Sequence, residues 1–211
     1  MNAKKLLFYL LAVLLGGCVP IVSLHPLFNE KDVVFDEKLL GIWTSTDEST
    51  LGKDLNCWEF KRADANENAY RLIFSNKDGK GLFVAHLVKL KDKLFLDVCP
   101  ASWEQQDRNK IEWMFNTLFL VPAHTFIKIN SIEPQLKMQV TDDDKMAEFL
   151  TADPNAVKHD FLDDGRPILT GSTKELQAFI VKYADDNRVF TGLMVYSRKK
   201  AADPNAPPPS K

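Results

Sequence analysis

The sequence predicts an all-β domain with minor helices: an antiparallel meander of about eight strands closed into a barrel, with a helix before the last strand. Three observations point there. From residue 40 onward, short runs rich in β-branched and aromatic residues follow one another, separated by turn-forming residues. Near the end, GSTKELQAFIVKYADD shows helical spacing and is followed by one more β-rich run, VFTGLMVYSR. Beyond the amino terminus, no apolar stretch approaches the eighteen residues a spanning helix needs.

The first element is not part of that domain. Lys4 and Lys5 are the only charges before an apolar run from Leu6 to Leu15, closed by Gly16 and Gly17. At 1.5 Å per residue that run covers roughly half of a ~30 Å hydrocarbon core. It reads as a removable signal, residues 1–17. Leu15-Gly16-Gly17-Cys18 resembles the lipobox of bacterial lipoproteins. The resemblance implies cleavage before Cys18, diacylglycerol on its sulfur and acylation of the new amino terminus. Several acyl chains hold a protein on a membrane stably where one does not. Val19 in the next position implies, by analogy with enterobacterial sorting, the outer membrane. An ordinary signal peptide with an incidental cysteine, or a retained anchor, are the competing readings.

Removing 17 of 211 residues leaves 194, a size suited to one domain that buries about 70% of its unfolded surface. Loss of two lysines leaves 25 basic against 29 acidic groups, and no basic stripe appears, so no nucleic-acid partner is expected. Cys57 and Cys99 remain. A compartment outside the cytoplasm permits a bridge between them, and two separate thiols are equally compatible with the spacing.

Residues 18–35 carry Ile21, Val22, Leu24, Leu27, Phe28, Val33, Val34 and Phe35, too apolar for a solvated tether. This lipidated segment is expected to pack on the barrel. In DEKLLGIW, 36–43, Asp36 caps a helical turn and Gly41 ends it. The strands expected next are 55–62, 69–76, 81–90 and 93–99, with turns at 66–68, 76–79 and 91–92. Residues 117–132 form a long run broken at Pro122, and Leu136, Met138 and Val140 alternate over 135–140. Between them, 100–116 is a polar insertion carrying Trp103 and Trp113. A helix over 142–151 takes Thr141 as its cap and stops at Asp153-Pro154. A short strand at 167–169 precedes the helix 173–184, which opens on a Ser172–Glu175 capping box. The barrel domain runs over 36–199, and a Pro-rich tail, 200–211, is expected to be disordered.

Gly41-Ile42-Trp43 after a short turn resembles the opening of the lipocalin group of barrels. In that group the Trp plugs one barrel end and a late Arg or Lys lies across it. The resemblance therefore implies barrel closure by Trp43 and Arg198, and it covers about residues 36–198. The helix near 142–151 and the insertion 100–116 are additions to that pattern. The competing architecture is an antiparallel sandwich with Trp43 as a core aromatic.

The search for chemistry gives little. His25, His86, His124 and His159 have no zinc-ligand spacing, and no metal or other cofactor is expected. Asp142-Asp143-Asp144 reads as a helix start, and DFLDDG at 160–165 as a turn. Ser197 and Lys200 fit SxxK on paper but sit at a strand end rather than a helix start. Three polar residues stand out in strand patterns: His86 on a face with Leu82, Val84, Val88 and Leu90; Asp97 opposite Leu94, Leu96 and Val98; and His124 on a face with Leu120 and Phe126. If the His86 face lines the barrel, His86 points inside. On that basis the ligand-binding candidates are His86, Trp103, Trp113, His124 and Phe126. Trp103, Trp113 and Phe115 have two further readings, as packing for their own loop or as contacts with the lipid surface. The expectation is a non-enzymatic lipoprotein, anchored in the bacterial envelope through Cys18 and facing the periplasm, that binds a small apolar ligand or an envelope protein. The alternatives are an assembly or inhibitory module with a filled barrel, or an envelope hydrolase using His86, Asp97 and His124.

Overall fold

A computed structural model of the chain describes residues 20–46, 56–64, 67–77, 79–101 and 121–199. Cys18, Trp103, Trp113, Phe115, the 1–17 leader, the 200–211 tail and nearly all of the 100–116 insertion lie outside the described residues.

Strands β3 (Gly41–Ser45), β4 (Cys57–Arg62), β5 (Tyr70–Asn76), β6 (Gly79–Leu90), β7 (Lys93–Pro100), β8 (Thr125–Ser131), β9 (Leu136–Val140) and β12 (Thr191–Arg198) form the barrel. They pair in the order β6-β5-β4-β3-β12-β9-β8-β7, and β6 pairs again with β7, closing the ring of eight; every barrel pairing is antiparallel. Closure rules out the sandwich. It also removes every free sheet edge from the ring, which an open sheet of this length would expose.

The alternation of each strand sorts its side chains to two sides. Toward the lumen point Trp43, Phe60, Tyr70, Leu72, Ala85, Leu87, Leu96, Val98, Ile127, Ile129, Leu136, Met138 and Tyr196, one buried cluster. Outward from β6, β7 and β8 point Val88, Leu90, Phe95 and Phe126, which belong to a second cluster. That outer core is roofed by helices α1 (Asp143–Ala152) and α2 (Thr173–Lys182), through Met146, Phe149, Leu150, Leu176, Phe179 and Ile180. The wall β6-β7-β8 is thus apolar on both faces, and β7 reads as a nearly continuous buried run.

Residues 20–40 form a strap over the same wall. β1 (Val22–Ser23) pairs in parallel with β11 (Pro167–Leu169), which pairs with β10 (His159–Phe161). β2 (Val33–Val34) adds to β6 at Val88 and Leu87, just past the point where β5 leaves it. Asp36 caps a 3-10 turn at Glu37–Leu39, and the chain enters the barrel at Gly41. Gly41 opens β3 rather than ending the turn, with φ +120, a conformation that favours glycine. The cap of α1 is Asp142, not Thr141: Asp142 accepts the Lys145 N–H at 3.0 Å, and Thr141 Oγ1 instead accepts the Ile21 N–H at 3.0 Å. The Ser172–Glu175 capping box of α2 is formed in both directions.

Candidate functional site

The strand directions give the barrel two ends. At one end β4, β6, β8 and β12 finish and β3, β5, β7 and β9 begin, with the 91–92 and 132–135 turns and the strap's entry into β3. At the other end, the mouth, β3, β5, β7 and β9 finish and β4, β6, β8 and β12 begin.

The entry end is sealed. Trp43 is fully buried and its Nε1–H donates to the Leu39 carbonyl at 2.9 Å. Arg198, directly paired with Trp43 across β12 and β3, places its guanidinium carbon 4.3 Å from the indole centroid. Its Nη1 and Nη2 donate to the Leu40 and Lys38 carbonyls. A Cβ at Gly41 would meet Arg198 Nη1 at 2.8 Å, so the glycine clears the space the guanidinium occupies. Nearby, the Tyr70 hydroxyl donates to the Asp36 carbonyl and accepts the Asp36 N–H, and burial pushes the phenol up to about 12.

The lumen is filled from that end upward by the chain's own side chains. Toward the mouth, packing loosens at Trp58, Phe74, Phe83, Val140 and Met194, all half-buried. Trp58 packs on Phe74 with centroids 5.0 Å apart and meets Tyr196 edge-on at 6.2 Å. Burial raises the Tyr196 phenol and proximity to Trp58 partly offsets it, but the contact falls short of hydrogen-bond geometry. The buried Trp58 Nε1–H therefore has no acceptor among the described residues.

The sequence-nominated ligand residues stand elsewhere. The lumen face of β6 is Phe83, Ala85 and Leu87, so His86 points outward with Val88 and Leu90. Phe126 belongs to the outer core, and His124 joins Asp97 on the same outer side. His86, His124 and Phe126 therefore do not line the barrel. Leu120 lies outside the described residues; among those described, sequence alternation correctly groups each face. It does not say which face is inside, because this wall is covered on both.

What these residues build is a clamp. Asp97 is wholly buried; its Oδ1 lies 2.6 Å from His124 Nδ1 and its Oδ2 accepts the Leu27 N–H at 2.6 Å. Leu27 O in turn accepts from Gln177 Nε2 of α2 at 2.9 Å, and the same nitrogen reaches Asp32 at 2.8 Å. Ser23 and His124 exchange two backbone bonds of 2.8 Å. Phe28 covers His86 with centroids 4.3 Å apart, and His86 Nδ1 is buried without a partner among the described residues. Burial lowers the His86 pKa, Asp97 raises it, and His124 lowers it further. The Ser23 hydroxyl donates to the His25 carbonyl at 2.8 Å.

Two open grooves flank α2. One, about 390 Å³, runs between α2 and residues 154–158. The other, about 630 Å³, is lined by Lys89, Lys91, Lys174 and Lys182 beside Asp32 and Leu90. Asp142, Asp143 and Asp144 bring ligand-type oxygens within 4.8 Å of one another, but Asp142 is committed to capping α1. Cys57 and Cys99 are free thiols. They lie on β4 and β7, three strand spacings apart at about 4.8 Å each, well beyond the ~7 Å Cα limit for a bridge. No described helix is long and apolar enough to cross a membrane.

Sequence reasoning missed the mouth residues Trp58, Phe74, Phe83 and Tyr196. A signal was present for one pair: in CWEFKR, Trp58 and Phe60 fall on one face. Comparison with protein-family models, with curated proteins and with solved structures gave no match for the chain.

Proposed function

We propose that this chain is a non-enzymatic lipoprotein of the bacterial cell envelope, held to the outer membrane through lipid on Cys18, whose barrel serves as an interaction module for another envelope component. The carrying observation is the filled lumen. Trp43, Tyr70, Leu72, Leu87, Leu96, Leu136 and Met138 are each fully buried inside the ring, where a hollow ligand carrier would keep a cavity of several hundred Å³. The Leu15–Cys18 sequence supports the anchor, and the strap supports a domain that starts immediately after it. The clamp residues Asp97 and His124 are engaged in holding that strap, which disfavours a hydrolytic role for them.

A second reading rests on one observation. The Trp58 N–H, unpaired among the described residues and beside Phe74, Phe83 and Met194, suits a small, mostly apolar ligand with one acceptor, seated in the mouth.

Both readings are tested on the full chain expressed in a bacterium. Mass spectrometry of the amino-terminal peptide is expected to find a diacylglyceryl group on Cys18, lost together with processing in Cys18→Ser; an unmodified peptide overturns the anchor. Organic extraction of the purified protein separates the module from the carrier. Absence of copurified lipid with an unchanged partner crosslink supports the module, and a stoichiometric small molecule supports the carrier.

A further inference from the structure

We infer that the barrel mouth is the surface that lies against the lipid bilayer, with the sealed Trp43 end pointing away from it. The inference rests on the lipid at Cys18.

The first support is where the strap begins. Ile21 is tied at the mouth by two bonds: its N–H donates to Thr141 Oγ1, and its carbonyl accepts from Thr125 Oγ1, each at 3.0 Å. Thr125 is the first residue of β8, and Thr141 directly follows β9, so both stand on the rim. Ile21 lies three positions after Cys18. At no more than ~3.6 Å per residue, the lipid-bearing sulfur cannot stray more than about 11 Å from the Ile21 backbone, plus its own side chain. The opposite end, at Trp43 and Arg198, is reached by the chain only after the strap has crossed the whole wall.

The second support is the distribution of exposed apolar side chains. Six large ones are exposed among the described residues. Four are at this end: Leu24, next to the Ser23–His124 bridge; Leu82, whose carbonyl accepts the Ala101 N–H where β7 ends; Val121, ahead of β8; and Leu193, in the bulge that opens β12. β6 and β12 are four places apart in the ring of eight, so Leu82 and Leu193 stand on opposite sides of the mouth, with Val121 and Leu24 on the arc between them. Points spread round a rim define a plane, as end-on contact with a flat surface requires. The remaining two, Phe161 and Leu162, lie where β10 turns toward β11.

The charges choose the kind of surface. Among the described residues the rim carries Asp142, Asp143, Asp144 and Lys145 on one side and Lys77 and Lys80 on the other. An anionic surface gains no net attraction from such a mixture, whereas a zwitterionic interface accepts apolar side chains at modest depth.

The test uses the full, processed protein in vesicles of phosphatidylcholine. Cys57 and Cys99 are replaced by Ala, and a fluorescent label is placed on one new cysteine at a time: Leu82→Cys, Val121→Cys or Leu193→Cys at the mouth, Lys61→Cys or Asn130→Cys toward the sealed end. Brominated phosphatidylcholine is the lipid-phase quencher, and the mass of the amino-terminal peptide is measured on the same sample. The expected result is loss of fluorescence at the three mouth positions and none at the other two. Equal quenching at both ends, the reverse order, or none anywhere, in protein whose Cys18 carries lipid, overturns the orientation alone. A peptide without lipid overturns the anchor and this inference with it, so the mass says which of the two has failed. The labelled sites are exposed, and far-ultraviolet circular dichroism checks that each variant keeps the barrel.

Discussion

Arg198 covers Trp43: the guanidinium carbon sits 4.3 Å from the ring centre while two of its nitrogens close on the carbonyls of Leu40 and Lys38. A stacked cation is worth about 0.5–2 kcal/mol, and each hydrogen bond to a charged donor about 1.5–3 kcal/mol before screening. Arg198 is about two-fifths exposed, so the lower ends of those ranges apply. Arg198→Ala is expected to cost about 1–3 kcal/mol, read as a lowered urea midpoint. Arg198→Lys should recover little of it, because an ammonium cannot present the same flat fork to two carbonyls. Gly41→Ala should show a loss as well, from a Cβ built against Nη1 and from φ +120. A full recovery in Arg198→Lys would mean that charge alone matters there.

Asp97 makes a second prediction. Its carboxylate has no exposed surface and serves two partners on different segments, the Leu27 amide and His124. Asp97→Ala leaves the buried Leu27 N–H without its acceptor, a loss that costs about 1–3 kcal/mol. Asp97→Asn keeps one acceptor for Leu27 and should cost less. Hydrogen exchange distinguishes the origin: amides of residues 21–28 should lose protection first, ahead of those in β3–β5. Uniform loss over the whole barrel would show that Asp97 supports the ring rather than the strap.

His86 should make stability depend on pH. Burial under Phe28 holds its pKa below the ordinary 6.5, with Asp97 and Glu67 opposing and His124 adding to the effect. The unfolded chain therefore binds more protons than the folded one as pH falls through 6.5 toward the depressed folded value, so stability rises with pH across that window. His86→Phe should remove this slope between pH about 7.5 and about 5.5. It should also leave the protein no less stable at the lower pH, since the unpartnered Nδ1 disappears. Parallel urea curves for the two proteins at the two pH values settle the point. An unchanged slope would show that His86 is not its source.

The barrel was legible because its signals are local. Turn residues and strict alternation mark β4, β5, β6, β7 and β9 to within two residues, and the Ser172–Glu175 box marks α2. Strands β1, β2 and β10 left no such trace. Each has two or three residues, too few for a period; β1 and β2 exist only through partners far along the chain, Ile168 for Val22 and Val88 for Val33, and β10 only through a hairpin with the equally short β11. Which face of β6 is inside was not legible either, and so neither was the side of His86. Val88 and Leu90 look like lumen residues until α1 and α2 supply a second apolar roof, and nothing in β6 itself reports that roof. Asp97 was noticeable as a lone acid in KLFLDVC, but its role depends on the Leu27 amide 70 positions earlier.

The strap also decides how load would travel. Its contacts at Ile21, Ser23 and Leu27 reach Thr141, His124, Asp97 and Gln177, residues synthesised long after it. A segment synthesised early is therefore among the last to find its seat. Once seated, it stands between residue 20 and the first barrel strand. A pull at the start of the strap meets the two Ile21 bonds and β1 before any of it reaches β3, so the strap is placed to yield ahead of the ring, in the manner of a mechanical fuse.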